Sequence, residues 1–508
     1  MKKRSIWRVK GRGKSYSKLL ENTEADVVII GGGITGLTTA LQLTDAGRKV
    51  VVVEAHEIGS GTTGFSSCHL TTDIDEEYRN VISTFDKTTA QVLAESRKAA
   101  IDFIEKTTRE KNINCDFRRL PGYLYSEIPE DVSSLKEEQE AASAAGLDVK
   151  LTDTVPLPFT IKKGLRFEDQ GEFNAQEYLA GLAEHITSAG GRIYENSLVK
   201  SIEEKENLYH IKTDSGSVKA PKVVMATHLP LFMNVLQTVA APYISYMIAA
   251  KLKQQEYPVG LFWDMADPYH YTRYYTNENG SYVVVGGEDH KTGHKINTEE
   301  AYQRLEKYIR DRFDIESIDY KWSAQYYEPA DGIPFIGNSP FHKNIYVATG
   351  FSGDGLVYGT VAGILISDMI MENENAWLSV YDATRFTPAA SAVEFIKENA
   401  DVAKNFIKDR LTSDTSNLDE LKPGEGKIVK INGEKMAVAR DEQEELHAVS
   451  PVCTHMKCHV HWNTSEKTWD CPCHGSRFSM QGEVIYGPAV KALEKKEIKA
   501  EVEEKVKK

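Results

Sequence analysis

Cysteine is scarce in this chain: there are six in 508 residues, with Cys453, Cys458, Cys471 and Cys473 crowded into one C-terminal stretch while Cys68 and Cys115 stand alone. That usage excludes a disulfide scaffold as the organising principle and points to a metal site. No stretch reaches the roughly 18 uninterrupted apolar residues of a spanning helix, so the chain is not expected to cross a bilayer by itself. No repeat of roughly 20–50 residues is visible, which sets aside solenoids and propellers. Excess positive charge is lacking too. Lys plus Arg is 61 against 75 for Asp plus Glu, a net charge of -14, which repels phosphate backbones on average and excludes nucleic acid as the main partner. The first twenty residues hold eight Lys or Arg and no acid, without the apolar stretch of a secretory signal. Residues 1–23 are therefore expected to form a solvated basic arm, and a cytoplasmic location is the expectation.

What is present is the balance of a globular protein, 41% hydrophobic and 27% charged, at a length that implies about three domains. Asp26 to Ile30 is a short apolar run followed by Gly31-Gly32-Gly33-Ile34-Thr35-Gly36, then helical spacing over Leu37 to Leu43, then Val50 to Val53 and Glu54. This reads as strand, glycine turn, helix, strand. Further on, Gln176 to Ala189 predicts a helix, and Val223 to Ala226, Tyr282 to Val285 and Asn344 to Ala348 predict strands. Such alternation points to an α/β core. Apolar positions spaced three and four apart over residues 392–411 predict an amphipathic helix. Its mixed charges favour packing on a core over lying on a membrane. The polar string Thr412 to Asn417 reads as a linker, so that 386–417 is helix and linker and 418–508 is a β-rich module.

Gly31-x-Gly33-x-x-Gly36 follows a strand, opens a helix and precedes acidic Glu54 at the end of the next strand. In that context the pattern is a dinucleotide fingerprint: Gly31 allows the turn, Gly33 lets backbone N–H groups approach a pyrophosphate, Gly36 permits close packing, and Glu54 binds ribose hydroxyls. NAD and FAD share it. Two other segments bear on the choice: the hydroxyl-rich loop Gly59-Ser60-Gly61-Thr62-Thr63-Gly64, suited to a second set of phosphates or a flavin ring, and Ala348 to Leu356, with Gly350, Gly355 and Leu356 at a second helix start.

With Asp331-Gly332-Ile333-Pro334, these segments resemble the FAD-dependent D-amino-acid oxidase-like superfamily over about 24–385. The resemblance implies a Rossmann-like FAD-binding domain (about 24–110, 165–230 and 325–385) interleaved with an α+β substrate domain (about 111–164 and 231–324). It also implies Val199 beside the adenine, Thr62 and Thr63 at the cofactor, and oxidation of an amine or amino acid. Some relatives attach flavin covalently through His or Cys; Cys68 and His69 do not match such a motif and read as ordinary loop residues.

In the C-terminal module Cys453-Thr454-His455 is followed, after residues 456–470, by Cys471-Pro472-Cys473-His474. Zinc and iron both take two Cys and two His, but here each loop supplies one of each, which fits a 2Fe-2S cluster with one iron on thiolates and the other on imidazoles. These boxes resemble those of an all-β Rieske domain. The resemblance implies Cys453 and Cys471 on one iron, His455 and His474 on the other, a loop-bracing disulfide between Cys458 and Cys473, Ser476 as a hydrogen-bond donor to a cluster sulfur, and a covering proline loop at Gly487-Pro488-Ala489. Phe478 stands where respiratory relatives usually carry Tyr, so a potential below the top of the roughly -150 to +300 mV range is expected.

The substrate side is less marked. Tyr269, Tyr271, Arg273 and Tyr275 would share one face of a strand. Arg273 could clamp a carboxylate, although an aromatic face with Arg273 paired to a surface acid is the favoured reading. Tyr246, Tyr243 and Tyr326 are further catalytic candidates. His290 and His294 lack the pattern of a mononuclear iron centre and are expected to be solvent-facing loop residues. The expected protein is an FAD enzyme whose electrons pass through a Rieske cluster to an external acceptor. Two alternatives stand beside it: a reductase with electrons flowing from cluster to flavin, and an electron carrier or redox sensor without small-molecule turnover.

Overall fold

The structure, a computed structural model, describes all residues except 1, 9–12, 255–256, 295–296, 386, 388–395, 397–398, 401–417 and 499–508. The helix expected over 392–411 and the linker after it lie outside the described residues, apart from helical positions 396, 399 and 400. The chain forms two compact units: Met1–His290 with Glu300–Lys397, and Lys291–Glu299 with Glu398–Lys508.

The first unit contains two large sheets. One has six strands in the order Phe335–Asn338, Ile345–Thr349, Lys222–Met225, Val27–Ile30, Val50–Val53, Arg192–Tyr194. All pairings in it are parallel except that of the first two. Val27–Ile30 and Val50–Val53 are buried at every position, as expected for parallel strands covered on both faces. The predicted helix at 176–189 is observed as Ala175–Ser188, capped by the Asn174 side chain. That carboxamide accepts from the Gln176 and Glu177 N–H groups, which the first helical turn leaves without intrahelical partners.

The second sheet is built on two long antiparallel strands, Ala240–Leu252 and Ile315–Pro329, paired from Ala240↔Pro329 to Leu252↔Ile315. Alternation gives it two dry faces. Ile244, Tyr246, Ile248, Val283 and Val285 pack with Leu305 and Ile309 of helix Glu299–Arg312, whereas Met247, Ala249, Val284 and Trp322 join the opposite core. Strand Lys163–Glu172 belongs to this sheet. The chain thus crosses between sheets after Glu172 and after Pro329, a few residues beyond the expected 165 and 325.

The N-terminal stretch departs from the solvated arm expected of it. Lys2–Lys3 adds a parallel strand beside Tyr320 and Lys321. Ile6, Trp7 and Leu19 are buried, with Trp7 at 0% exposure, its indole N–H donating to Ser66 O at 2.7 Å and its ring edge-on to Tyr275 at 4.8 Å. Burying a large apolar side chain contributes roughly 1.5–3 kcal/mol, which outweighs the local charge density. Among the described residues no helix is long and apolar enough to cross a membrane.

After a short 3-10 turn at Leu418–Glu420, the described part of the second unit is built of strands and turns. It has a three-stranded antiparallel sheet (Gly426–Ile431, Glu434–Arg440, Leu446–Val449) and a four-stranded one (His461–Asn463, Thr468–Asp470, Arg477–Ser479, Val484–Tyr486). The predicted ligand loops occupy the turns on either side of the His461–Asn463 and Thr468–Asp470 hairpin.

Candidate flavin and cluster sites

Strand Val27–Ile30 delivers the chain to Gly31, whose φ of +112° and position 2.3 Å (at a built Cβ) from Ala226 O leave no room for a side chain. Helix Ile34–Asp45 then starts at Gly33 with no side-chain cap. Its first N–H groups and the positive end of its dipole thus suit a pyrophosphate. Thr63 Oγ1 lies at this helix start, accepting from Ile34 N at 3.2 Å, and Thr62 Oγ1 donates to Gln325 O at 3.0 Å. Glu54 accepts from Gly32 N at 2.7 Å and His56 N at 2.8 Å, and burial pushes its carboxyl above the usual range. The segment that leads to buried Val199 runs alongside: Asn196 N donates to His56 O and Ser197 N to Glu54 O. A second uncapped helix start, Gly355–Met371, follows Gly350, and Leu356 is buried behind it. A glycine cradle at Gly31, Gly33 and Gly36, an uncapped helix start, and Glu54 and Thr63 hydrogen-bonded to that turn fit an FAD pyrophosphate and ribose.

Next to the second helix start lies a polar cluster. Asp75 Oδ2 accepts from Gly353 N at 2.6 Å, and a Cβ built on Gly353 would sit 3.4 Å from the Tyr269 hydroxyl. The Tyr326 hydroxyl donates to Asp289 Oδ2 at 2.9 Å, Ser245 Oγ and Tyr271 OH are 2.9 Å apart, and Tyr243 stacks on Tyr326. Tyr243, Ser245, Tyr271, Asp289 and Tyr326 come from strands Ala240–Leu252, His270–Asn277, Gly280–Lys291 and Ile315–Pro329, on one face of the sheet, while Asp75, Tyr269 and Gly353 come from loops. Asp75 is exposed and Asp289 half-buried, and the protein packed around both carboxyls takes away part of their solvent. That desolvation pushes Asp75 up to about 8, with the Asp354 carboxylate adding to the shift, and Asp289 up to about 6.

Of the earlier candidates, Tyr243 and Tyr326 belong to this cluster, whereas Tyr246 and Arg273 do not. Tyr246 points to the opposite face, packed on Tyr302 and hydrogen-bonded to His290 at 2.9 Å; the parity of strand Ala240–Leu252 gives Tyr243 and Ser245 to the cluster and Tyr246 to the helix side. Arg273 lies on the favoured side but is committed. Its guanidinium meets Glu172 at 3.0 Å, donates to Cys68 O at 2.8 Å and covers Trp7, and Glu172 is buried rather than a surface acid. His290 is a half-buried strand residue stacked on Tyr246, not a loop residue, whereas His294 is exposed in a turn. Cys68 is fully buried and His69 faces Thr272 O, burial driving its imidazole down to about 3. Asp75 was missed altogether, because its neighbours in sequence carry no pattern.

In the second unit Cys453, Cys471 and His474 are buried, and the His455 and His474 rings stand perpendicular with centroids 5.1 Å apart. The ligand loops are tight turns: Cys453 N donates to Cys458 O at 2.7 Å and Cys471 N to Ser476 O at 2.8 Å. Cys458 and Cys473 form a disulfide joining the loops. Ser476 Oγ accepts from Ala489 N at 3.0 Å, which holds the proline loop and leaves the hydroxyl proton to donate. Two thiols and two imidazoles, one of each per loop and facing one another, are a donor set that fits a Rieske cluster.

A flavin-type cradle in one unit and a Cys2His2 pair of loops in the other define an oxidoreductase with two redox sites. Comparison with known proteins specifies it further. Residues 26–369 match the family model "FAD dependent oxidoreductase" (DAO) and residues 414–497 the Rieske [2Fe-2S] domain model; the chain belongs to the FAD dependent oxidoreductase family and carries a C-terminal Rieske domain. It is 37% identical over 492 residues, 96% of each chain, to the Rieske 2Fe-2S iron-sulfur protein YhfW of Bacillus subtilis (strain 168). It is 26% identical over 70% of its length, and 85% of the relative's, to the gamma-glutamylputrescine oxidoreductase of Escherichia coli (strain K12). Among solved structures, glycine oxidase from Geobacillus kaustophilus superposes with a TM-score of 0.60 at 17% identity, covering 72% of this chain and 99% of that one. The family's cofactor is FAD and the Rieske domain's is a 2Fe-2S cluster, and the protein is an FAD-dependent oxidoreductase.

Proposed function

We propose that this enzyme oxidises the C–N bond of an amine or amino acid and passes the electrons through its Rieske cluster to an external acceptor, and that its substrate is on the amine side of that pair. FAD would supply the two-electron acceptor for the hydride leaving the carbon once the ammonium nitrogen has given a proton to solvent, so that the C–N bond becomes C=N, and the cluster would carry the two electrons onward one at a time. Water then hydrolyses the released imine to a carbonyl compound and an amine or ammonia.

The observation that carries the reading is the cluster around Asp289. A carboxyl held near neutral pKa by burial, oriented by Tyr326 and flanked by Ser245 and Tyr271, binds and orients an ammonium group. The buried arginines nearby are occupied: Arg97 by Asp354 at 2.9 Å and Arg273 by Glu172. A substrate carboxylate would meet acids and phenols. The Escherichia coli relative, named a gamma-glutamylputrescine oxidoreductase, is in keeping with a nitrogen-bearing substrate.

The experiment is an anaerobic screen of the purified protein with mono- and diamines, amino acids and hydroxy acids, following flavin absorbance and the cluster's paramagnetic resonance together. Bleaching by amines supports the proposal. Turnover with amino acids alone overturns the amine assignment. Reversible cluster titration with no bleaching by any compound favours the electron carrier, and flavin reduction from the cluster side alone favours the reductase.

A further inference from the structure

The second unit contains a segment outside the residues matched to the Rieske domain: Lys291–Glu299, which groups with Glu398–Lys508. Its contacts converge on the second ligand loop. Thr298 Oγ1 donates to Asn463 Oδ1 at 2.8 Å and accepts from Ser465 N at 2.9 Å. Asn463 Nδ2 donates to Asp470 Oδ2 at 2.9 Å. The other oxygen of Asp470 accepts from Arg477 Nε at 3.1 Å and Thr468 Oγ1 at 2.7 Å. Asp470 immediately precedes the ligand Cys471. Every member of this network is buried: Thr298 at 1%, Asn463 at 3%, Ser465 at 0% and Asp470 at 1% exposure.

Gly293 makes the second contact. Its carbonyl lies 2.5 Å from His461 Nδ1, and a Cβ built on it would meet Pro472 N at 2.9 Å and Asp470 O at 3.0 Å, at a φ of +75° that also favours glycine. The backbone on either side of Cys471 therefore rests directly on Gly293. A buried polar network rigidifies only when all its members are satisfied, and groups behind metal ligands set ligand orientation and cluster potential.

We infer that the described residues of 291–299 are a working part of the cluster site, with Thr298 and Gly293 as positioning residues for the loop that carries Cys471 and His474. The motif-defined domain is incomplete without a segment encoded far upstream of it. This holds whichever substrate the flavin site takes.

The test uses the full chain. Thr298→Val deletes the hydroxyl, Thr298→Ser restores it, and Gly293→Val forces the Cys471 backbone outward. Flavin content, iron content, the resonance spectrum of the dithionite-reduced cluster and its midpoint potential are measured on each. The expected result is at least a twofold loss of cluster per flavin or a resolved shift in spectrum and potential for Thr298→Val and Gly293→Val, wild-type behaviour for Thr298→Ser, and unchanged flavin content throughout. Wild-type spectra and potentials in both disruptive variants would overturn the inference. So would flavin loss in step with the cluster, since that marks a general folding defect rather than a local positioning role.

Discussion

The hydroxyl of Tyr326 donates to Asp289 Oδ2 at 2.9 Å, across two strands of the larger sheet. It fixes one oxygen of an enclosed carboxyl whose pKa burial raises to about 6. Because the shift is upward, the group is neutral below that value and ionised above it.

Binding of an ammonium substrate is therefore predicted to strengthen as pH rises through about 6, as Asp289 gains its charge. In Asp289→Asn the acidic limb disappears and kcat/KM falls roughly 30-fold or more, because truncating one side of a buried charge contact costs about 2–5 kcal/mol. The rate of anaerobic flavin reduction against pH, in both proteins, checks it.

Gly31→Ala is predicted to abolish flavin retention while leaving iron content intact. The added Cβ lies 2.3 Å from Ala226 O on a left-handed backbone, so the turn that presents the first N–H groups of helix Ile34–Asp45 must open. The ratio of flavin to iron in the purified variant is the readout.

Ser476→Ala is predicted to lower the cluster's midpoint potential. Ser476 is fully buried, with its oxygen engaged by Ala489 N and its proton left for a cluster sulfur. A hydrogen bond that strengthens on reduction favours the reduced form. At about 1 kcal/mol, and ~59 mV per tenfold for one electron, the drop is roughly 40 mV by redox titration.

Trp7→Ala is predicted to destabilise the first unit by about 3–5 kcal/mol, the usual cost of removing a buried Trp. The indole is wholly buried against Tyr275, Arg273 and Ser66. Thermal unfolding followed through release of the flavin checks this, with the cluster signal as an internal reference.

These residues also mark the limits of reading the chain as a string. The glycine turn at 31–36 with Glu54 at the next strand end, and the pairing of the two loops that carry Cys453, His455, Cys471 and His474, could be placed from the sequence, because turn geometry and ligand chemistry demand particular residues at short, fixed spacings. The strands at 26–30, 50–53, 223–226 and 344–348 were legible from continuous apolar runs. Trp7 was not, because a basic stretch gives no sign that a distant Tyr275 and Arg273 will cover it. Tyr246 and Tyr243 differ by three positions, and only the register of a long strand decides which faces Asp289. Arg273 is paired with an acid, as the favoured reading had it, but only the fold shows that the acid is the buried Glu172 rather than one at the surface. The contribution of Thr298 and Gly293 to the cluster unit depends on contacts between segments far apart in sequence, and no local pattern encodes it.

Transfer of electrons from amine oxidation to the cluster is the step on which the proposed function turns. It is tested most directly by mixing the oxidised protein with an amine that bleaches the flavin, without oxygen or external acceptor, freezing at successive times, and recording the resonance spectrum. Flavin bleaching followed by a rhombic signal from the reduced cluster is the expected result. A fully bleached flavin beside a cluster that stays oxidised, yet reduces normally with dithionite, would contradict it.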